Sequence, residues 1–386
     1  MKILHIITDL STGGAEIMLL KLLERLSPRF QSHVVSLTDS GEIGERIIAM
    51  GVPIETLGMS PGVPSLQGLL RLFRRIRQLQ PDMVQTWMYH ADLVGGLATR
   101  LAGIKALAWN IRNSDLSPNK TKQSTQIVVR LCARLSSRFP ARILCCSVAA
   151  RRIHEKLGYA AEKFIVVPNG FDLSRFRFEP AARAAVRCEL KIDETAQVVG
   201  LIARYGPQKN HSGFIEAAAK LHAVRPDVHF LLAGRGVDAS NATLADNLEK
   251  AGIGAVTHLL GLRNDVPRLM AALDVCVSAS SYGEAFPNVL GEAMACGIPC
   301  VVSDVGDSAA IVGDTGRVVA PGDVKGFATA IEALLELPRD VRQRLSTRCR
   351  ARVAEYFEIG QIVRQYEACY ESIVSDLRKP HNVSEE

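Results

Sequence analysis

At 386 residues, 47% hydrophobic and 22% charged, the chain is too long for one ordinary core and reads as a globular protein of two domains. No run approaches the roughly 18 apolar residues of a spanning helix, and the nine cysteines stand in apolar contexts without zinc-ligand spacing, as reduced thiols of a cytoplasmic protein do. The net charge of +6 is uneven: residues 1–180 hold 24 basic and 14 acidic side chains, residues 181–386 hold 22 and 26. The first half therefore suits an anionic surface such as phospholipid or a phosphorylated acceptor.

Met1–Leu10 is apolar but short, interrupted by His5 and Asp9, and reads as a first strand rather than a signal peptide. Further strands are predicted at 33–38, 53–58, 83–88, 106–111, 142–147 and 164–168, with helical segments such as 15–26 between them. The alternation breaks at 169–180, where Gly170 and Pro180 bracket a linker. It restarts with strands at 198–203, 229–234, 257–261, 275–280, 300–304 and 316–320, and the last 50 residues are helical. Strands alternating with helices imply parallel sheets covered on both faces, so the expected fold is α/β, two doubly wound, Rossmann-like domains in tandem. The expected boundaries are 1–172 and 173–360, with a C-terminal helix at about 361–378 packing back onto the first domain. Ligands of such sheets bind beyond the carboxyl ends of the strands, which makes a cleft between the domains the default site.

The fingerprint-like "GRGVDA" (234–239) follows a strand, but Asp238 stands where phosphate must approach and helix begins only near Ala242, so it reads as a tight turn. In "DLSTGGAE" (9–16), Ser11 or Thr12 can cap the next helix, while Gly13 and Gly14 permit close backbone approach; a plain turn is the alternative. In "TWMYHADLVGG" (86–96), His90 sits between strand end and helix start, as a functional or a satisfied structural histidine. "LIARYGPQKN" places Arg204 and Lys209 just after a strand, where a guanidinium fork and a flexible ammonium suit a diphosphate.

"YGEAFPNVLGEAMACGIPCVVSD" (282–304) carries two acids, Glu284 in a loop and Glu292 in a short helix. Pro287 suits the first helical position, Gly297 ends the helix, and Asn288 and Glu292 share a face. The first-turn N–H groups at 286–290 make an anion site. Taken alone, the acids fit a catalytic pair, a metal site, or acceptors for a polyhydroxylated ligand. A glycosidase-like pair would flank one bond. "SDVGD" (303–307) is the nearest approach to an acidic metal cluster and reads as a loop.

The order "TGGAE … YHADL … PNGFD … ARYGPQKN … GEAFPNVLGEAMACGIPCVVSDVG" resembles the retaining glycosyltransferases of family 4, of GT-B architecture, along nearly the whole chain. Cys300 replaces a commoner Val. The runs "QTWMYHADL" and "WNIRNSD" resemble the bacterial branch that builds surface polysaccharide, O-antigen and lipopolysaccharide, with Gln85 where His is usual. The resemblance implies a second domain that binds a nucleotide-diphosphate sugar, UDP favoured over GDP-mannose, and a first domain that binds a saccharide or lipid-linked acceptor. It implies Arg204 and Lys209 on the diphosphate, Glu284 on the donor sugar and Glu292 on the ribose. Backbone at 285–289 (Phe286, Pro287, Asn288 and Val289 among them) would face sugar and phosphate, and the turn at Leu262–Arg263 would read the base. Gly13 and Gly14 would close over the phosphates, with His90, Glu16 and Asn113 on the acceptor side. His90, Arg204, Lys209 and Glu284 form the implied catalytic set, with no metal or other cofactor. The expected setting is the cytoplasm, on the inner face of the membrane, with no nucleic-acid partner. A sugar-nucleotide epimerase and a non-catalytic nucleotide-sugar-binding subunit are the rival readings.

"SLQGLLRLFRRIRQLQP" (65–81) sets Leu66, Leu69, Leu70, Phe73, Ile76 and Leu79 at helical spacing among Arg71, Arg74, Arg75 and Arg77. It reads either as a sheet-covering helix with a solvated face or as a contact with anionic membrane.

Overall fold

The computed structural model describes residues 1–11, 13–60, 65–114, 116 and 122–378. Thr12, named above as a capping residue, and the polar tail 379–386, expected to fray, lie outside them. The chain divides into two compact units: Met1–Gly170 with Ile359–Glu386, and Phe171–Glu358.

In the first unit seven parallel strands run β1 (Lys2–Ile7), β2 (Gln31–Ser36), β3 (Ile54–Thr56), β4 (Met83–Trp87), β5 (Leu107–Ile111), β6 (Arg142–Cys145) and β7 (Phe164–Val166). Their spatial order is β3-β2-β1-β4-β5-β6-β7. In the second unit β8 (Gln197–Ile202), β9 (Val228–Ala233), β10 (Thr257–Leu259), β11 (Val275–Ser278), β12 (Cys300–Ser303) and β13 (Arg317–Val319) form a parallel sheet ordered β10-β9-β8-β11-β12-β13. β4, β5, β11 and β12 are buried at every position and mostly apolar, with Gln85, Thr86 and Asn110 the polar members of β4 and β5 and Ser278 and Ser303 ending β11 and β12.

The strand order of each parallel sheet reverses direction once, between β1 and β4 and between β8 and β11. At such a point the connections leave to opposite sides and open a crevice past the strand ends. The segments carrying the candidate residues, 8–16 and 88–92 in one unit and 203–210 and 279–292 in the other, are the connections that leave these four strands.

The C-terminal helix Ile359–Arg378 belongs to the first unit, with Ile362, Val363, Tyr366, Cys369, Tyr370 and Ile373 in its core. The Tyr370 hydroxyl donates to Oε1 of Gln85, which is fully buried. Gln85, unusual by resemblance, thus serves as an acceptor under this helix. All nine cysteines are free, and Cys188 alone is exposed.

Candidate functional site

In the second unit the turn after β8 is shaped by close packing. Gly234 has φ +148°, and a Cβ there would stand 2.1 Å from the Ala203 carbonyl oxygen. Only glycine lets the two turns approach this closely. A short helical turn, Pro207–Lys209, then meets the segment after β11: the Ser281 amide donates to the Gln208 carbonyl at 2.9 Å, and Gln208 Nε2 to the Gly283 carbonyl at 3.0 Å. These bonds deliver Lys209 Nζ to Glu284 Oε1 at 2.5 Å, and the Ser280 hydroxyl donates to the same oxygen at 2.7 Å. Glu284 is buried and Lys209 half-buried. Arg204 is exposed, its guanidinium donating to Gln208 Oε1 at 3.1 Å.

Glu284 is held from behind as well. Gly306 has φ +63°, and a Cβ there would lie 1.9 Å from the Glu284 carbonyl oxygen, while the Asp307 amide donates to the Ala285 carbonyl at 3.1 Å. The "SDVGD" segment is therefore the loop that backs the Glu284 turn. Among the described residues no cluster of three or more His, Cys, Asp or Glu is arranged to hold a metal ion.

The following helix runs Asn288–Ala295, with Pro287 as its N-cap residue. The sequence assigns Pro287 to the first helical position; its ψ of 112° keeps it outside the helix, and no side chain caps that end. Asn288 and Glu292 lie half-buried on the same face. Gly291 sits under Phe171, where a Cβ would meet the ring at 2.0 Å. The Phe286 ring packs between Phe171 and Phe357, with centroids 6.3 and 5.4 Å away, so its side chain is structural. Arg350 donates to the Ala295, Leu173 and Phe176 carbonyls, satisfying the C-terminal end of this helix with a cation, where its dipole favours one. Leu262 is exposed, whereas the Arg263 guanidinium forks onto Asp265 with both bonds at 2.7 Å and reaches Glu189 at 2.7 Å. His211, buried behind Lys209 with its ring 5.2 Å from that of Tyr205, is held neutral, its pKa pushed down by burial to about 4.

In the first unit the helix after β1 runs Gly14–Leu23 and its N-cap is Gly13, without a side-chain cap. Ser11, expected to cap it, instead gives its hydroxyl and its amide to Asp9 Oδ1. Glu16 folds back over the turn: a Cβ at Gly13 would stand 2.3 Å from its Oε2. Burial raises the Glu16 pKa to about 7, with Asp9 adding to the rise and the amides of Glu16 and Ala15 and the Arg112 charge opposing it. Arg112, not singled out from sequence, leaves β5 with its guanidinium on Asn169 and Tyr366 and over the Trp87 ring, 5.3 Å from the centroid. Asn113 follows it, half-buried.

His90 lies in the first turn of the helix Tyr89–Leu101, after Met88. It is half-buried, its pKa is lowered by burial, and its Nε2 atom is buried without a partner among the described residues. A buried ring nitrogen without a bond carries a desolvation cost that a hydrogen-bond partner would offset.

Residues 12–175 match the family described as Glycosyltransferase Family 4, and residues 196–337 the one described as Glycosyl transferases group 1. The chain is 28% identical over 320 residues, 81% of either chain, to the UDP-Gal:alpha-D-GlcNAc-diphosphoundecaprenol alpha-1,3-galactosyltransferase of Escherichia coli. It is 31% identical over 219 residues to the lipopolysaccharide core biosynthesis mannosyltransferase LpsB of Rhizobium meliloti, covering 54% of this chain and 61% of that one. Its fold is similar to the crystal structure of Anabaena Alr3699/HepE in complex with UDP, with a TM-score of 0.85 and 25% identity, over 96% of this chain and 100% of that one.

Proposed function

The chain belongs to the family 4 glycosyltransferases, and from that premise we propose that it moves a sugar with retention from a UDP-sugar to a hydroxyl of a lipid-linked saccharide, in the synthesis of a bacterial surface polysaccharide. The observation that carries the reading is the Lys209–Glu284 pair at the reversal of strand order in the second sheet, beside Arg204 and the start of the Asn288–Ala295 helix. A UDP donor is supported by the galactosyltransferase relative and by the UDP complex of the structural neighbour.

In this reading the bond between the anomeric carbon and the diphosphate oxygen breaks, and the electron pair stays on the phosphate. Arg204, Lys209 and the first-turn amides of the helix stabilise that charge where it develops. Glu284 takes hydrogen bonds from sugar hydroxyls and Glu292 from the ribose. The bound ion pair keeps the Lys209 ammonium in place before the diphosphate arrives, so little reorganisation accompanies binding. Turns at Gly13–Gly14 and Leu262–Arg263 approach the phosphates and the base. The acceptor hydroxyl attacks from the face the phosphate leaves and gives its proton to that phosphate, with His90, Glu16 and Asn113 orienting the acceptor. No metal ion is needed in this scheme.

The membrane contact of the acceptor side falls on two helices. Leu66–Leu79 and Gln123–Leu135 pack on either side of the Tyr89–Leu101 helix. They expose Leu66, Leu70, Ile127 and Leu131 together with Arg71, Arg74, Arg77, Arg130 and Arg134, and neither holds an acidic residue. Arg75 is no part of this face, because it pairs with Glu55 of β3. Apolar knobs among arginines fit an anionic bilayer surface. No helix among the described residues is long and apolar enough to cross a membrane.

The test is a thermal-shift panel of UDP- and GDP-sugars, followed by transfer and donor-hydrolysis assays of E284Q and K209A with the donor that stabilises the protein. Both variants should lose transfer. Wild-type rates in both would remove the site assignment, and conversion of the donor without any acceptor would favour the epimerase.

A further inference from the structure

We propose that Asp92 is a positioning residue for His90, tying the first turn of the Tyr89–Leu101 helix to strands β4 and β5 and so fixing where the imidazole stands. The proposal rests on the role given to His90 above. The turn it secures is strained. Met88, the residue between β4 and the helix, has φ +72° and ψ 160°, a region that residues with side chains rarely occupy and that persists only where the surroundings over-determine it.

The restraints are visible. The Met88 amide donates to the Asn110 carbonyl at 3.0 Å, and the Asp92 amide to the Met88 carbonyl at 2.9 Å. The Thr86 hydroxyl, on β4, donates to Asp92 Oδ1 at 2.5 Å. The Asp92 side chain is fully buried and has no cationic partner among the described residues. Burial raises its pKa well above the ordinary carboxyl value, while Thr86 and the backbone of Asn110 partly oppose the rise. The group acts through the direction of its bond to Thr86. A leucine would fill the same space without burying a carboxyl. What the acid adds is a bonded link from helix to strand, two residues from His90, whose Nε2 awaits a partner.

The experiment combines NMR of histidine-labelled protein with steady-state kinetics, using the donor found in the panel above. D92N retains an acceptor for Thr86 and should keep a single narrow His90 signal and a kcat within about threefold of wild type. D92L should broaden or shift the His90 signal and lower kcat about 10- to 100-fold with donor KM nearly unchanged, as misplacement by a fraction of an ångström does. T86V, which leaves the carboxyl in place, should move both readouts in the same direction and serves if D92L does not fold. In the H90A background D92L should cost no further rate. A wild-type His90 signal in D92L and T86V, or a loss confined to KM, overturns the proposal. If H90A itself transfers sugar at the wild-type rate, the role of His90 falls, and the Asp92 link is then decided by the His90 signal alone.

Discussion

Lys209→Ala should destabilise the second unit more than Glu284→Gln, although each removes half of one ion pair. The Glu284 side chain is 8% exposed and that of Lys209 20%. Removing the lysine leaves an ionised carboxylate in a nearly dry place, still holding its bond from Ser280. Breaking a buried pair in this way costs about 3–5 kcal/mol, and water admitted at the lysine end brings the expected value to about 2–3 kcal/mol. Glutamine at 284 keeps the shape and the Ser280 bond, and the released ammonium can turn to solvent, for a cost of about 1 kcal/mol. For a unit of roughly 190 residues, at about 2–4 °C per kcal/mol, K209A should melt about 5–10 °C lower and E284Q about 2–4 °C lower. The double variant K209A/E284Q should melt close to E284Q, because a neutral amide no longer needs the cation. Differential scanning calorimetry of the full chain measures all three. An E284Q loss equal to or larger than that of K209A, or strictly additive losses, would refute the claim that a desolvated carboxylate sets the cost.

Further outcomes can be measured on the same protein. Gly306→Ala forces a methyl to 1.9 Å from the Glu284 carbonyl oxygen and should cut kcat more than about tenfold, whereas Gly322→Ala, with φ +80° and nothing within 4 Å, should cost only about 1–2 kcal/mol of stability; equal kinetics in the two would refute the loop's role. The Glu16 carboxyl, held at about 7 against an ordinary 4.5, binds its proton more tightly folded than unfolded, so its contribution to stability is present below pH 4.5 and is lost as pH rises toward 7. Urea titrations should show the wild type losing stability relative to E16Q across that window, and parallel pH curves would contradict it. Charge reversal of Arg71 and Arg74 with Arg130 and Arg134 should abolish co-sedimentation with anionic vesicles at low salt, while reversal of Arg75 should instead perturb Glu55 and stability. Failure of the wild-type protein to bind such vesicles would end the membrane reading.

Local chemistry carried a large share of this protein. Among the described residues the thirteen strands were legible because short, mostly apolar runs alternate with helical segments, and the helix after Pro287 was legible because proline, glycine and spacing are local signals. The motifs after β1, β4, β8 and β11 could be placed at strand ends for the same reason. What the sequence left open was who meets whom. The Lys209–Glu284 contact spans 75 residues and the Arg112–Tyr366 contact 254, and both follow from strand order, which periodicity does not encode. Arg75 looked like one more arginine of a basic face until β3 supplied Glu55, and Ser11 looked like a cap until Asp9 took its hydroxyl. Gln85 looked like a departure from pattern until the C-terminal helix brought Tyr370 over it. Residue type and spacing determined which chemistry was present and at which strand ends. Only the tertiary structure decided which of those groups stand paired, which are held neutral by burial, and which, like His90 Nε2, are left waiting, because desolvation and long-range pairing are properties of the folded surroundings and not of the residue.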